Sequence, residues 1–124
     1  MSFVAEILIV DDDEFIAAML ELRLSLRGHK VHVAQNGRDG VERALALLPD
    51  LVLMDMQMPL MGGLEAVTLL REKMYSGTIA SLSASAMPAD KKKAIDVGCD
   101  ACITKPIDRD FEDLISDILG DGND

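Results

Sequence analysis

Two periods of apolar residues alternate along the chain. Residues 5–10 (AEILIV) form a short apolar run that stops at Asp11, Asp12, Asp13 and Glu14. Phe15, Met19, Leu22 and Leu26 then recur at helical spacing, and Gly28 closes the predicted helix. Residues 30–34 (KVHVA) alternate as a half-buried strand does. Val41, Leu45 and Leu48 mark a second helix before Pro49, and residues 51–54 (LVLM) read as a buried strand. Residues 64–74 predict a third helix ended near Gly77, and residues 78–83 (TIASLS) a fourth strand. A short helix over 89–97, capped by Gly98, precedes a fifth strand over 101–104. Phe111, Leu114, Ile115, Ile118 and Leu119 supply the last amphipathic stripe.

Five strands therefore alternate with five helices. Strands that are continuously apolar need cover on both faces, which implies a parallel sheet. Right-handed crossovers leave few topologies. The expected fold is α/β, a flavodoxin-like (βα)5 arrangement with strand order 2-1-3-4-5 and helices on both faces. Function in such sheets gathers at the C-terminal strand ends, near the switch point between strands 1 and 3.

Composition narrows the class. The 124 residues, 49% hydrophobic, suit one domain, with a core over about 5–119 and a flexible tail at 120–124. Twelve basic residues against 22 acidic ones give a net charge of −10, which argues against nucleic acid or an anionic membrane surface as partner. No apolar run approaches the ~18 residues of a membrane span. The first ten residues carry Glu6 and no Lys or Arg, a poor secretory signal. With only Cys99 and Cys102, a disulfide framework is not expected either, and the reading is cytoplasmic.

The chemistry sits at the predicted strand ends. Strand 1 ends in the acids, strand 3 in Asp55, strand 4 in Ser83, and strand 5 in Thr104 and Lys105 before Pro106. Strands 1 and 3 are neighbours in the expected order, so Asp11, Asp12 and Asp55 should converge. Close carboxylates repel by about 4 kcal/mol per pair at 4 Å near a protein surface. A divalent cation relieves this, and an all-oxygen site suits Mg²⁺ or Mn²⁺. A carboxylate nucleophile, a metal, a lysine and a hydroxyl together can serve phosphoryl transfer. Asp55 would attack phosphorus, Lys105 would neutralise its oxygens, and Ser83 would hydrogen-bond one of them.

The runs Val10-Asp11-Asp12, Asp55-Met56-Gln57-Met58-Pro59-Leu60-Met61-Gly62-Gly63, Ser83-Ala84 and Lys105-Pro106 together resemble the receiver domain of two-component response regulators. The resemblance implies a phosphorylation-switched regulator rather than an enzyme, with Asp55 as phosphoacceptor. It makes Asp12 a direct metal ligand, Asp11 one acting through water, and the Gln57 backbone carbonyl a further ligand. It makes Ser83 and Lys105 the groups that meet the phosphoryl oxygens and the Lys105–Pro106 bond cis. The donor would be a histidine kinase or a histidine phosphotransfer protein. An output protein could bind through helix 4, strand 5 and helix 5. Cys102 departs from the pattern: it stands three residues before Lys105, where many receivers carry Tyr or Phe. A small thiol cannot fill a pocket as an aromatic does, so a weaker switch or output through other surfaces is expected.

Other readings compete at several positions. Asp11–Glu14 alone would simply cap helix 1, a role left here to Asp13. Cys99-x-x-Cys102 matches a redox or zinc half-motif, yet it precedes a strand, and His29 and His32 lie on distant strand 2; both cysteines read as structural. Met56, Met58 and Met61 suit an adaptable partner surface or plain loop packing. Lys91–Lys93 contrast with residues 108–124, where seven acids face Arg109 alone, a net −6. A phosphatase of the haloacid dehalogenase type would use Asp11-x-Asp13, but Glu14-Phe15 follow in place of Gly-Thr. A flavin or nucleotide carrier would need a Gly-rich loop that no strand precedes. The short tail leaves no room for an output domain, so a stand-alone regulator or a receiver cut from a longer protein is expected.

Overall fold

A computed structural model describes residues 4–59 and 61–120. The elements run β1 (Glu6–Val10), α1 (Glu14–Leu26), β2 (Lys30–Ala34), α2 (Gly37–Leu47), β3 (Leu51–Asp55), α3 (Gly63–Glu72), β4 (Thr78–Ser83), α4 (Pro88–Val97), β5 (Ala101–Thr104) and α5 (Phe111–Leu119). All strand pairs are parallel, in the order β2-β1-β3-β4-β5, as expected. The tail beyond Gly120 lies outside the described residues.

Strand side chains alternate between two cores. Leu8, Val10, Val52, Met54 and Ile79 face α2, α3 and α4, which contribute Val41, Ala44, Ala66, Val67, Leu70 and Ala94. Ile7, Ile9, Leu51, Leu53 and Leu82 face α1 and α5, which contribute Ala17, Leu20, Leu24, Phe111 and Ile115. Every residue of β3 is buried, since β3 has a strand on either side and helices on both faces.

Two helix faces differ from expectation. Phe15, Leu22 and Leu26 are exposed, at 83%, 60% and 77% of their surface, while Ala17, Leu20 and Leu24 meet the sheet. Helix α1 is apolar nearly all round, and the smaller Ala17 lets its other stripe approach the strands. Leu48 ends α2 in the left-handed conformation with its side chain exposed, so the buried stripe of α2 is Val41 and Ala44.

The edge remote from the acids is tied by Arg71 of α3. Its guanidinium donates to the carbonyls of Tyr75, Gly77 and Gly98 and pairs with Asp100 at 3.0 Å. Beside it the Tyr75 hydroxyl donates to the Pro49 carbonyl at 2.7 Å.

Candidate functional site

The acid cluster is assembled by strand ends. Asp11 follows β1 and is fully buried, Asp55 closes β3 at 3% exposure, and Asp12 is exposed. Asp13 accepts from the N–H groups of Phe15 and Ile16 and so caps α1, as expected. Gly63 starts α3 hard against Asp55: a Cβ there would lie 2.5 Å from the Asp55 carbonyl oxygen. Only glycine permits that approach, which holds the loop after β3 close to the strand end.

Carboxylate oxygens of Asp11, Asp12 and Asp55 lie within 4.8 Å of one another. Lys105 Nζ stands 3.4 Å from Asp11 Oδ2 and 3.4 Å from Asp55 Oδ1, with a side chain only 18% exposed. The Lys105–Pro106 bond is cis. Asp11 Oδ1 accepts from the Asp13 N–H at 2.9 Å, and Asp55 Oδ1 from the Gln57 N–H at 3.1 Å. Burial pushes the Asp11 carboxyl up, and the Asp55 charge pushes the same way against the Asp13 N–H and Lys105. Three carboxylates against one ammonium leave two negative charges. An all-oxygen donor set with that surplus fits a hard divalent cation such as Mg²⁺.

The opposite wall is built by Gln57. Its Nε2 donates to Ser83 Oγ at 3.0 Å, and its Oε1 accepts from the Ala84 N–H at 3.2 Å. Ser83 Oγ also accepts from the Ser85 N–H at 3.1 Å. Ser85 Oγ donates to Asp90 at the start of α4. Spacing places Gln57 beside the site, but the bridge of its side chain to β4 is invisible in spacing, because it depends on loop geometry.

Among the described residues the acids are the one group of His, Cys, Asp and Glu placed to share a metal ion. Cys99 is buried, Cys102 is half-buried on β5, and both thiols are free. Burial pushes the Cys99 thiol up to about 12, which suits a structural residue.

Residues 7–118 match the family of the response regulator receiver domain. The transcriptional regulatory protein DltR of Streptococcus agalactiae is 36% identical over 104 residues, which cover 84% of this chain and 46% of that protein. The chain thus spans about half the length of that relative. Among solved structures, the chemotaxis response regulator CheY4 of Vibrio cholerae superposes with a TM-score of 0.88 at 26% identity, covering 94% of this chain and 99% of that one. The receiver domain of the sensor histidine kinase PA1611 from Pseudomonas aeruginosa, solved with a magnesium ion coordinated in the active site cleft, gives 0.85 at 25% identity over 95% and 99% of the two chains.

Proposed function

Because the chain belongs to the response regulator receiver family of two-component signalling, we propose that Asp55 accepts a phosphoryl group from a phosphohistidine. The observation that carries this reading is Lys105 Nζ set 3.4 Å from both Asp11 and Asp55 beside an exposed third acid. Both donors to Asp55 reach Oδ1, so neither engages Oδ2. An Asp55 oxygen attacks phosphorus in line. The P–N bond to the donor imidazole breaks, its electron pair stays on that nitrogen, and the imidazole is left neutral once its protons redistribute. Lys105 balances the equatorial oxygens, and the Ser83 hydroxyl, which acts only as an acceptor among the described residues, donates to one of them. Water later attacks the acyl phosphate, so the chain acts on itself rather than turning over a separate substrate.

Asp11, Asp12, Asp55 and the Gln57 carbonyl would hold Mg²⁺ or Mn²⁺. Such an ion, when bound, neutralises charge developing on phosphoryl oxygens.

Asp13 is committed to capping α1, which removes the second acid that the phosphatase alternative needs. The donor is a histidine kinase or histidine phosphotransfer protein. The apolar stripe Phe15, Leu22 and Leu26 begins beside the acids and offers such a donor a docking surface. An output protein would meet α4, β5 and α5, where Ile95 and Leu114 are exposed and α4 carries Lys91–Lys93. No described helix is long and apolar enough to cross a membrane. The whole chain is read as one receiver domain, 1–124, acting in the cytoplasm.

Intact mass after incubation with acetyl phosphate and Mg²⁺ tests the reading. One added phosphoryl group on the wild type, absent with EDTA and in Asp55→Asn, is expected. An adduct that persists in Asp55→Asn would move the nucleophile elsewhere and defeat the proposal.

A further inference from the structure

A cavity of about 140 Å³ lies between α4 and the β4–β5 edge of the sheet. Its cause is a run of small side chains. Ser81 and Cys102 pair across β4 and β5, as do Ser83 and Thr104, and all four line the hollow. Facing them, Ala94 is the one buried residue of α4. Nothing large spans the gap, while Met56 and Leu64 close its sides with apolar surface.

The hollow is not simply void. Ser81 is 98% buried, given its 2% exposure, and its hydroxyl bonds to no described residue; the oxygen faces the cavity. That oxygen is open to the hollow, so a polar atom of an occupant can bond it. Lys91 and Lys93 also line the cavity, and neither ammonium has an ion pair among the described residues, whereas Lys92 pairs with Asp96 at 2.9 Å. Asp90, the acid on the same wall, already holds the Ser85 hydroxyl. In a chain of net charge −10, two unpaired lysines beside one cavity are a local reversal of sign.

We propose that this cavity binds a small aromatic carboxylate: one ring in the hollow, its acid group against Lys91 and Lys93, and a polar atom on Ser81. The size matches, since an engineered cavity of about 150 Å³ takes a benzene ring. The thioether of Met56 and the thiol of Cys102 are soft walls that favour an aromatic occupant. Binding does not depend on the phosphorylation reading. If that reading holds, the occupant touches Ser83, and ligand and phosphoryl group influence each other's affinity reciprocally.

The test is an amide NMR titration of the full, unphosphorylated chain with benzoate, with benzyl alcohol as the neutral comparison. Saturable shifts at Ser81, Ala94, Cys102 and Ile103 are expected, with a Kd in the millimolar range or just below, as befits so small a ligand. Benzoate should bind roughly fivefold or more tighter than benzyl alcohol, and Lys91→Gln with Lys93→Gln should erase that preference. Cys102→Phe fills the hollow from the sheet and should abolish binding; if it fails to fold, Ala94→Leu fills it from the helix. Shifts that never saturate, equal affinity for the two probes, or unchanged binding in a folded cavity-filling variant would each overturn the assignment.

Discussion

The Gln57 carboxamide is bonded to the Ser83 hydroxyl at 3.0 Å while its oxygen holds the next N–H, that of Ala84, at 3.2 Å. One side chain from the loop after β3 thus latches the end of β4. A phosphoryl group on Asp55 that recruits these donors must compete with Gln57.

Gln57→Ala removes that competitor. Two neutral hydrogen bonds net about 0.5–1.5 kcal/mol each, about 1–3 kcal/mol together, so the initial rate of phosphorylation by acetyl phosphate should rise roughly fivefold to a hundredfold. A fall in rate would mean that Gln57 assists the transfer instead of restraining the switch.

Divalent metal should stabilise the fold through the acids. At ten times its Kd, Mg²⁺ adds about 1.4 kcal/mol, a rise in Tm of about 4 °C for a domain of this size. Asp12→Asn leaves the buried pair and Lys105 in place but removes the exposed ligand, so its thermal shift with Mg²⁺ should be largely lost. An undiminished shift would place the ion elsewhere.

Tyr75 is the single tyrosine, and the chain has no tryptophan, so its ionisation can be read directly from absorbance. Burial pushes its hydroxyl up to about 12. The unfolded chain ionises near pH 10, so the folded state binds the proton longer: stability is full below pH 10 and declines between 10 and about 12. Phenolate absorbance should appear only near pH 12 in the folded protein. Tyr75→Phe leaves the Pro49 carbonyl unmatched and should cost about 1–2 kcal/mol in urea unfolding.

Arg23 of α1 grips Glu112 of α5 through two bonds, one of them Nε to Oε2 at 2.8 Å. That contact holds the Glu112 carboxyl below its usual range. A lowered carboxylate stabilises the fold above its unfolded pKa, near 4.5, and the contribution disappears as pH falls through the folded value. Glu112→Gln should therefore be less stable than wild type at pH 7, by about 1 kcal/mol, and the gap should close as the pH falls below the usual carboxylate range. A constant gap across that range would show that charge is not what Glu112 contributes.

Much of the site was legible without coordinates. Apolar runs mark the strands, parallel strands end on a common edge, and so the acids after 10, Asp55, Ser83 and Lys105 had to share that edge. Asp13 as the cap of α1 followed from the same run of acids. The α1 stripe misled, because Phe15, Met19, Leu22 and Leu26 have the right period but only part of that stripe touches the sheet. Periodicity reports that a helix has an apolar face; for a helix apolar on two faces it does not report which one packs.

The sequence by itself determined the topology and the meeting of Asp11, Asp12, Asp55 and Lys105. Strand length and position along the backbone are encoded in the hydrophobic pattern, while right-handed crossovers leave few strand orders, of which the receiver resemblance implies 2-1-3-4-5. Only the tertiary structure decided the Gln57 latch on Ser83, the outward turn of Phe15, and the hollow among Ser81, Ala94 and Cys102. Each of these depends on how side chains from elements far apart in the chain fill or leave volume between them. No single segment carries that information, because packing is a property of the facing surfaces together.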